Sequence, residues 1–464
     1  MTAAAAAAPL RRAAAGCREP APIRLAHLGL GNFFRALPAR LTDLADGAGE
    51  WGFAAFGGRS ARLADLLSEQ DGVYTLVTRA ADADRFDLVA SLSAAVPAAD
   101  AERWREVLAS PTTVVVTSTV TEAGYCLRAD GALALDRADV AADLAALRRG
   151  QPATTAPGRL VDGLAARFRL GGEPLAVVPC DNLPASGDRV GGAVRDLAAA
   201  FDPPLARWIE DAVEFVSTVV DRITPRPTDL DIALVADATG WADAAPVVAE
   251  PFGEWILAGR FPGGRPGWET AGARFVDDVT VHEERKLRLL NGAHSLLAYV
   301  GSMRGHLTVA DAMADDRCRA LVEAWWADAA PGLALPPEEI RGYQAQLAAR
   351  FANARIRHLL AQIVPDGSQK LPVRVVPTLR EARAAGRLPE GALAMVAGWL
   401  CHLRGLGAPV DDVAAATVVP LAAGPWTDAT RRVLGALAPD LAEDRDLVSA
   451  IAAEAGRLAA DAAP

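Results

Sequence analysis

Lysine is almost missing from this chain. Only Lys286 and Lys370 occur among 464 residues, and arginine supplies the other 45 cationic side chains. Asparagine is nearly as scarce, at Asn32, Asn182, Asn291 and Asn353. Cysteine is limited to Cys17, Cys126, Cys180, Cys318 and Cys401, an odd and scattered set with no C-x-x-C pair. That excludes a disulfide frame and a thiolate zinc site, and it points to reduced thiols in a cytoplasmic protein. The six histidines stand singly, with no H-E-x-x-H, so no metal site is expected. No run of about 20 apolar residues occurs, which leaves no candidate membrane span. A net charge of −11 argues against nucleic acid or an anionic membrane surface as a partner and leaves a small molecule.

What is present is ordinary globular composition, 51% apolar and 23% charged, in a chain long enough for two full cores. Residues 1–22 are alanine-rich, but Arg11 and Arg12 follow the alanine run rather than precede it. This is the wrong order for a secretory signal, so the segment is expected to be a flexible leader. From residue 23 onward, strand-like runs such as "IRLAHLGLG", "WGFAAFGG", "VYTLVTR", "TTVVVTSTVT" and "PLAVVPCDN" alternate with helix-like ones, including 35–46. Such alternation implies a parallel sheet covered by helices. After about residue 280 every segment has helical spacing. The expected class is therefore α/β: a parallel-sheet domain over 23–279, followed by a mainly α-helical domain over 280–464.

The first strand candidate ends in Gly29-Leu30-Gly31-Asn32-Phe33. A glycine turn there lets backbone N–H groups approach a pyrophosphate at a helix start, so Gly29, Gly31, Asn32 and Phe33 are the candidate cofactor-binding residues. The third glycine of the usual fingerprint is replaced by Phe34. The second strand candidate is followed by Gly57-Gly58-Arg59-Ser60, with no acid for the ribose of NAD, so the choice between NAD and NADP is open.

The stretch "KLRLLNGAHS" gathers Lys286, Asn291 and His294. On an α-helix at about 100° per residue, Asn291 falls about 140° and His294 about 80° from Lys286, all within one arc. Where arginine has replaced lysine nearly throughout, a retained lysine suggests a task arginine cannot do, because only lysine can lose its proton near neutral pH. Such a group suits hydride-transfer chemistry. An acid/base serves the hydroxyl proton, amide donors serve the developing alkoxide, and a neutral imidazole steers a neighbouring hydroxyl. Asn182 in "PCDNLP" would lie at the carboxyl end of the sheet, where ligands bind in such folds. Asp221 follows an apolar run in "VVDRITP", and Lys370 is placed in a turn in "DGSQKLP".

The segments "HLGLGNFFRA", "QDGVYTLVTR", "TSTVTEAGY", "PCDNLP", "VVDRITP", "EPFGEWI", "KLRLLNGAHSLLAYVG" and "DGSQKLP" occur in this order. Together they resemble the mannitol dehydrogenase family of polyol-specific long-chain dehydrogenases and reductases, over residues 23 to beyond 400. The resemblance implies a Rossmann-type dinucleotide-binding domain over 23–279, a mainly helical substrate domain over 280–464, and metal-independent catalysis with a nicotinamide cofactor, usually NAD. It implies Lys286 as general acid/base, Asn182 and Asn291 as oxyanion donors, and His294 as the residue that orients the substrate. It implies Asp221 and Lys370 as substrate contacts. Leu37 and Pro38 depart from the family pattern, and Pro38 is expected to shorten or kink the cofactor helix. The substrate is expected to be a six-carbon sugar acid or polyol. The fructuronate reductase branch (D-fructuronate/D-mannonate) is favoured over mannitol 2-dehydrogenase (D-mannitol/D-fructose), on Gln362 and on Lys370, Arg357 and Arg374 as cations for a carboxylate. A remoter alternative is a non-catalytic NAD(H)-sensing protein.

Overall fold

The computed structural model describes residues 7–58, 60–128 and 130–462. Arg59, considered above for an NADP phosphate, lies outside the described residues. The chain divides into two compact units, with the boundary between Thr280 and Val281.

The first unit is built on six strands: β1 (Ile23–Leu28), β2 (Gly52–Phe56), β3 (Leu92–Val96), β4 (Val115–Ser118), β5 (Leu175–Pro179) and β6 (Val213–Phe215). All neighbours pair in parallel, in the order 3-2-1-4-5-6 of a doubly wound dinucleotide-binding sheet. The strands are short and apolar on both sides because both faces are covered. Ala26, Leu28, Phe56, Val116 and Val177 join one core, and Leu25, Phe53, Ala55, Val115 and Val178 join the other. β3 and β6 were not among the strand-like runs singled out above. "VYTLVTR" forms a strand, Tyr74–Arg79, but outside the six-stranded sheet. It pairs antiparallel with Asp84–Val89 and parallel with Val247–Ala249.

Two expectations change here. The helix expected over 35–46 is two helices, Asn32–Ala36 and Pro38–Leu44. Leu37 between them takes φ −123° and ψ −75°. Pro38 disfavours the α conformation at the residue before it and has no N–H to give, so it begins a new helix. The segment expected to be a flexible leader is tied to the first unit at several of its described residues. Ala8–Pro9 pairs in parallel with Trp241–Ala242, Leu10 is buried beside Val73 and Ala90, and the Arg12 guanidinium donates to the carbonyls of Arg18, Asp71, Ala90 and Leu92. A buried guanidinium with its donors met this way is a strong local anchor.

The described residues of the second unit form no extended strand, and helices account for its architecture. Its centre is the helix Glu390–Leu403, buried from Gly391 to Leu403 except for one half-buried residue, and packed by Asp316–Ala329 and Arg445–Ala460. No helix among the described residues is long and apolar enough to cross a membrane.

Candidate active site

In the first unit, Gly29–Phe33 and Asn182 follow the carboxyl ends of β1 and β5 of the six-stranded sheet. Gly29 leaves β1 with φ +109°, and a methyl group there would run into the Thr119 carbonyl, so only glycine fits. Gly31 is different. Its φ of −131° suits any residue, and an added Cβ would meet only the Gly29 carbonyl oxygen, at 3.6 Å. Among the described residues nothing demands glycine at 31, which fits a position kept bare for a ligand's close approach. Phe34, in place of a third glycine, stacks on His27 with ring centroids 3.5 Å apart. His27 was missed in the sequence. It is fully buried, its Nδ1 meets Thr117 Oγ1 at 2.7 Å and its Nε2 meets the Gly29 carbonyl at 3.0 Å. Burial lowers its pKa to about 3, so it is neutral and serves the glycine turn.

Asn32 spends its side chain on structure. Its Oδ1 accepts from Arg35 at 2.9 Å and its Nδ2 donates to the Pro225 carbonyl at 3.2 Å. Arg222 donates to the Ala36 carbonyl at 2.6 Å. These bonds tie the segment after Asp221 to the helix that follows the glycine turn. Asp221 is itself buried, at the end of a strand (Ser217–Asp221) that pairs antiparallel with Glu254–Ala258. Asn182 is exposed, three residues beyond β5, immediately after a buried carboxylate, Asp181.

In the second unit, Lys286, Asn291 and His294 lie on one continuous helical run, but not on an α-helix. Lys286–Gly292 and Leu297–Gly301 are π-helical, flanking an α-turn at Ala293–Leu296. The arc expected from α geometry is therefore corrected: with i→i+5 bonding, Lys286 and Asn291 are one turn apart and stack on one face. The widened turn has visible support. Trp325 and Trp326 donate their indole N–H to the carbonyls of Arg288 (2.9 Å) and Leu289 (3.0 Å). Gly292 does not break the helix; it has helical dihedrals and gives room to the Trp325 ring.

Lys286 and Asn291 are half-buried and His294 is 9% exposed. Burial holds the His294 imidazole well below its ordinary pKa, and His358, Arg350, Arg374 and Lys286 add to the effect. His358 is itself lowered by burial, so the three other cations supply the field in which His294 stays neutral. His294 also lies 4.8 Å from Phe351 and 5.0 Å from His358 between ring centroids, contacts the sequence did not announce. Arg374 donates to the Asn291 carbonyl (3.2 Å) and Ser295 Oγ (2.9 Å), and burial lowers its pKa to about 10. Lys370 is in a helix, Gly367–Arg374, rather than a turn. Its ammonium donates to the carbonyls of Pro365 (2.5 Å) and Ile363 (3.2 Å), and its pKa is lowered by burial and then by Arg374. Arg357 and Gln362 are exposed.

Among the described residues, one group has metal-ligand character: His306, Asp315 and Cys318. Asp315 accepts from Arg304, His306 and the amides of Arg317 and Cys318. The Cys318 thiol is pushed up to about 12 by burial and by Asp315. This set reads as a helix cap with its charge already met by an arginine.

Comparisons with known proteins identify the family. The Mannitol dehydrogenase Rossmann domain model matches residues 23–270, and the Mannitol dehydrogenase C-terminal domain model matches 278–454. Over 399 residues the chain is 37% identical to the uncharacterized oxidoreductase YdfI of Escherichia coli K12, covering 84% of this chain and 81% of that protein. It is 34% identical over 449 residues to D-mannonate oxidoreductase of the same organism, covering 93% and 92%. The structure of Pseudomonas fluorescens mannitol 2-dehydrogenase in a ternary complex with NAD and D-mannitol superposes with a TM-score of 0.79 at 32% identity, covering 98% of this chain and 94% of that one. The chain belongs to the mannitol dehydrogenase family.

Proposed function

We propose that this family oxidoreductase uses NAD to interconvert D-fructuronate and D-mannonate, with Lys286 as its general acid/base. As a family member it acts on CH–OH groups. The nicotinamide, when bound, supplies or takes the hydride. The cofactor fits the first unit on the bare Gly31 position and the left-handed Gly29 at the end of β1. Gly29, Gly31, Asn32 and Phe33 would hold its pyrophosphate through backbone groups, since the Asn32 side chain is already committed.

In the direction of reduction, Lys286 Nζ gives a proton to the carbonyl oxygen as negative charge develops there. Asn182 and Asn291 donate amide N–H groups to that oxygen, at no cost in added charge. In oxidation Lys286 takes the hydroxyl proton. His294, neutral, holds a neighbouring hydroxyl, and Asp221 and Lys370 contact the rest of the sugar. The observation that carries the choice of an acid substrate is the cationic surroundings of His294: Arg374 donates to Ser295 Oγ, the next residue, and Arg350 and Lys286 act in the same sense. A carboxylate is the natural counter-charge. The second reading, D-mannitol/D-fructose, is favoured by the acids near Lys370: Asp366, Asp412 and Asp411 offset its charge and would suit a neutral polyol.

The test follows NADH and NADPH absorbance with fructuronate, tagaturonate and fructose in parallel. Fructuronate with NADH is expected to give the highest kcat/KM. Faster fructose turnover selects the second reading, and no turnover with any of them overturns the enzymatic one. Lys286→Ala should lower turnover by roughly 10²–10⁴-fold with near-normal NADH binding; ordinary turnover would remove Lys286 from this role.

A further inference from the structure

Asp181 is a charged residue type placed where charge is costly. It is 7% exposed and stands between Cys180 and Asn182 just after β5. Its carboxylate collects donors from one neighbouring segment, the end of β4 and the turn beyond it. Oδ1 accepts from the Val120 amide at 2.5 Å. Oδ2 accepts from the Tyr125 hydroxyl and from Ser118 Oγ at 3.3 Å, and those two hydroxyls lie 2.6 Å apart. Between Ser118 and Val120 stands Thr119. Its amide donates to the Leu28 carbonyl at 2.9 Å, its Oγ1 donates to the Gly29 carbonyl at 2.7 Å, and its own carbonyl walls the glycine turn. One hydrogen-bonded chain thus runs from the glycine turn through Thr119 and Val120 to Asp181, and Asp181 is covalently next to Asn182.

We infer that Asp181 is a positioning residue, which fixes Asn182 relative to the glycine turn and so aims an oxyanion donor at the reacting oxygen. The inference rests on the proposed role of Asn182. A buried carboxylate that receives three donors resists displacement; one is the Val120 backbone amide, and the other two are the hydroxyls of Ser118 and Tyr125, both fully buried residues. The proton state of Asp181 matters to the brace. Burial raises its pKa to about 7, against the three hydrogen bonds that lower it. The titratable groups beside it are Tyr125 and the Cys180 thiol, both themselves pushed up, first by burial and then by Asp181. Protonated, the carboxyl must become a donor among donors, and the brace loosens. Ionised Asp181 is therefore the positioning form, and the sign is that turnover falls as pH drops through about 7.

The test is a double-mutant cycle on the full-length enzyme, with Asp181→Asn, Asn182→Ala and the pair, reading kcat, KM and NADH dissociation. The asparagine keeps the shape and mimics the protonated acid. Asp181→Asn should lower kcat on the order of 10²-fold, leave NADH dissociation near normal because Thr119 keeps its own bonds, and abolish the acid limb of the kcat–pH profile. In the Asn182→Ala background the same change should have little further effect. Wild-type kcat in Asp181→Asn, or an undiminished second loss in the double variant, overturns the inference. A harmless Asn182→Ala instead overturns the role of Asn182 itself. Should Asp181→Asn fail to fold, Tyr125→Phe decides: it removes one donor to the anion and should move the acid limb to higher pH, whereas an unmoved limb overturns the inference.

Discussion

Gly292→Ala is the most informative small change in the second unit. The new Cβ would lie 2.5 Å from Trp325 Cζ2 and 2.6 Å from its Nε1. Trp325 cannot simply retreat. It is fully buried, and its indole N–H donates to the Arg288 carbonyl inside the same π-turn. Overpacking of this kind costs about 1–3 kcal/mol, and breaking the indole bond to a buried carbonyl costs about 1–3 kcal/mol more. With the two partly alternative, about 3 kcal/mol is expected. At about 2–4 °C per kcal/mol for a unit of this size, the melting temperature should fall by roughly 6–12 °C. Because Asn291 is the adjacent residue, kcat should fall as well, with NADH affinity unchanged. Thermal melts and steady-state kinetics on Gly292→Ala, Trp325→Phe and the pair would measure both effects. The pair should be more stable than the sum of the single losses allows, since the smaller ring makes room for the methyl group. A Gly292→Ala protein with unchanged melting temperature and kcat would refute the packing argument.

Three further outcomes are expected. Gly29→Ala forces a side chain into positive φ against the Thr119 carbonyl and should weaken NADH binding at least 10-fold by fluorescence titration, with the second unit's stability unaffected. Asp181 has its folded pKa raised from about 3.8 to about 7. The stability tied to its proton is therefore complete below about pH 4 and lost as pH rises to about 7, on the order of 4 kcal/mol. Urea unfolding at pH 5 and pH 8 should show a smaller difference for Asp181→Asn than for the wild type, and an equal difference would contradict the shift. His294→Gln should raise KM for the sugar without moving either limb of the pH profile, because the imidazole is held neutral by burial and surrounding cations.

Much of this was legible in the sequence, and for identifiable reasons. Alternating strand and helix runs give a parallel sheet, and a glycine turn after the first strand marks its ligand end, because period and turn chemistry are local properties. Scarcity of lysine and asparagine drew attention to Lys286, Lys370, Asn182 and Asn291, since residue usage needs no fold. What remained hidden depends on partners distant in sequence. The π-turn under Lys286 and Asn291 is supported by indoles 37 residues away, so the α-helical angle was the wrong one. Arg12 finds four backbone acceptors, three of them about 60–80 residues on, and these tie a segment expected to be flexible to the first unit. The charge state of Asp181 and His294 comes from burial and neighbours that only the folded chain assembles. The sequence by itself determined the family, the fold class and the inventory of reactive groups. Tertiary structure alone decided which face those groups share, which are committed to backbone carbonyls, and which hold a proton, because hydrogen bonding and desolvation are set by three-dimensional surroundings.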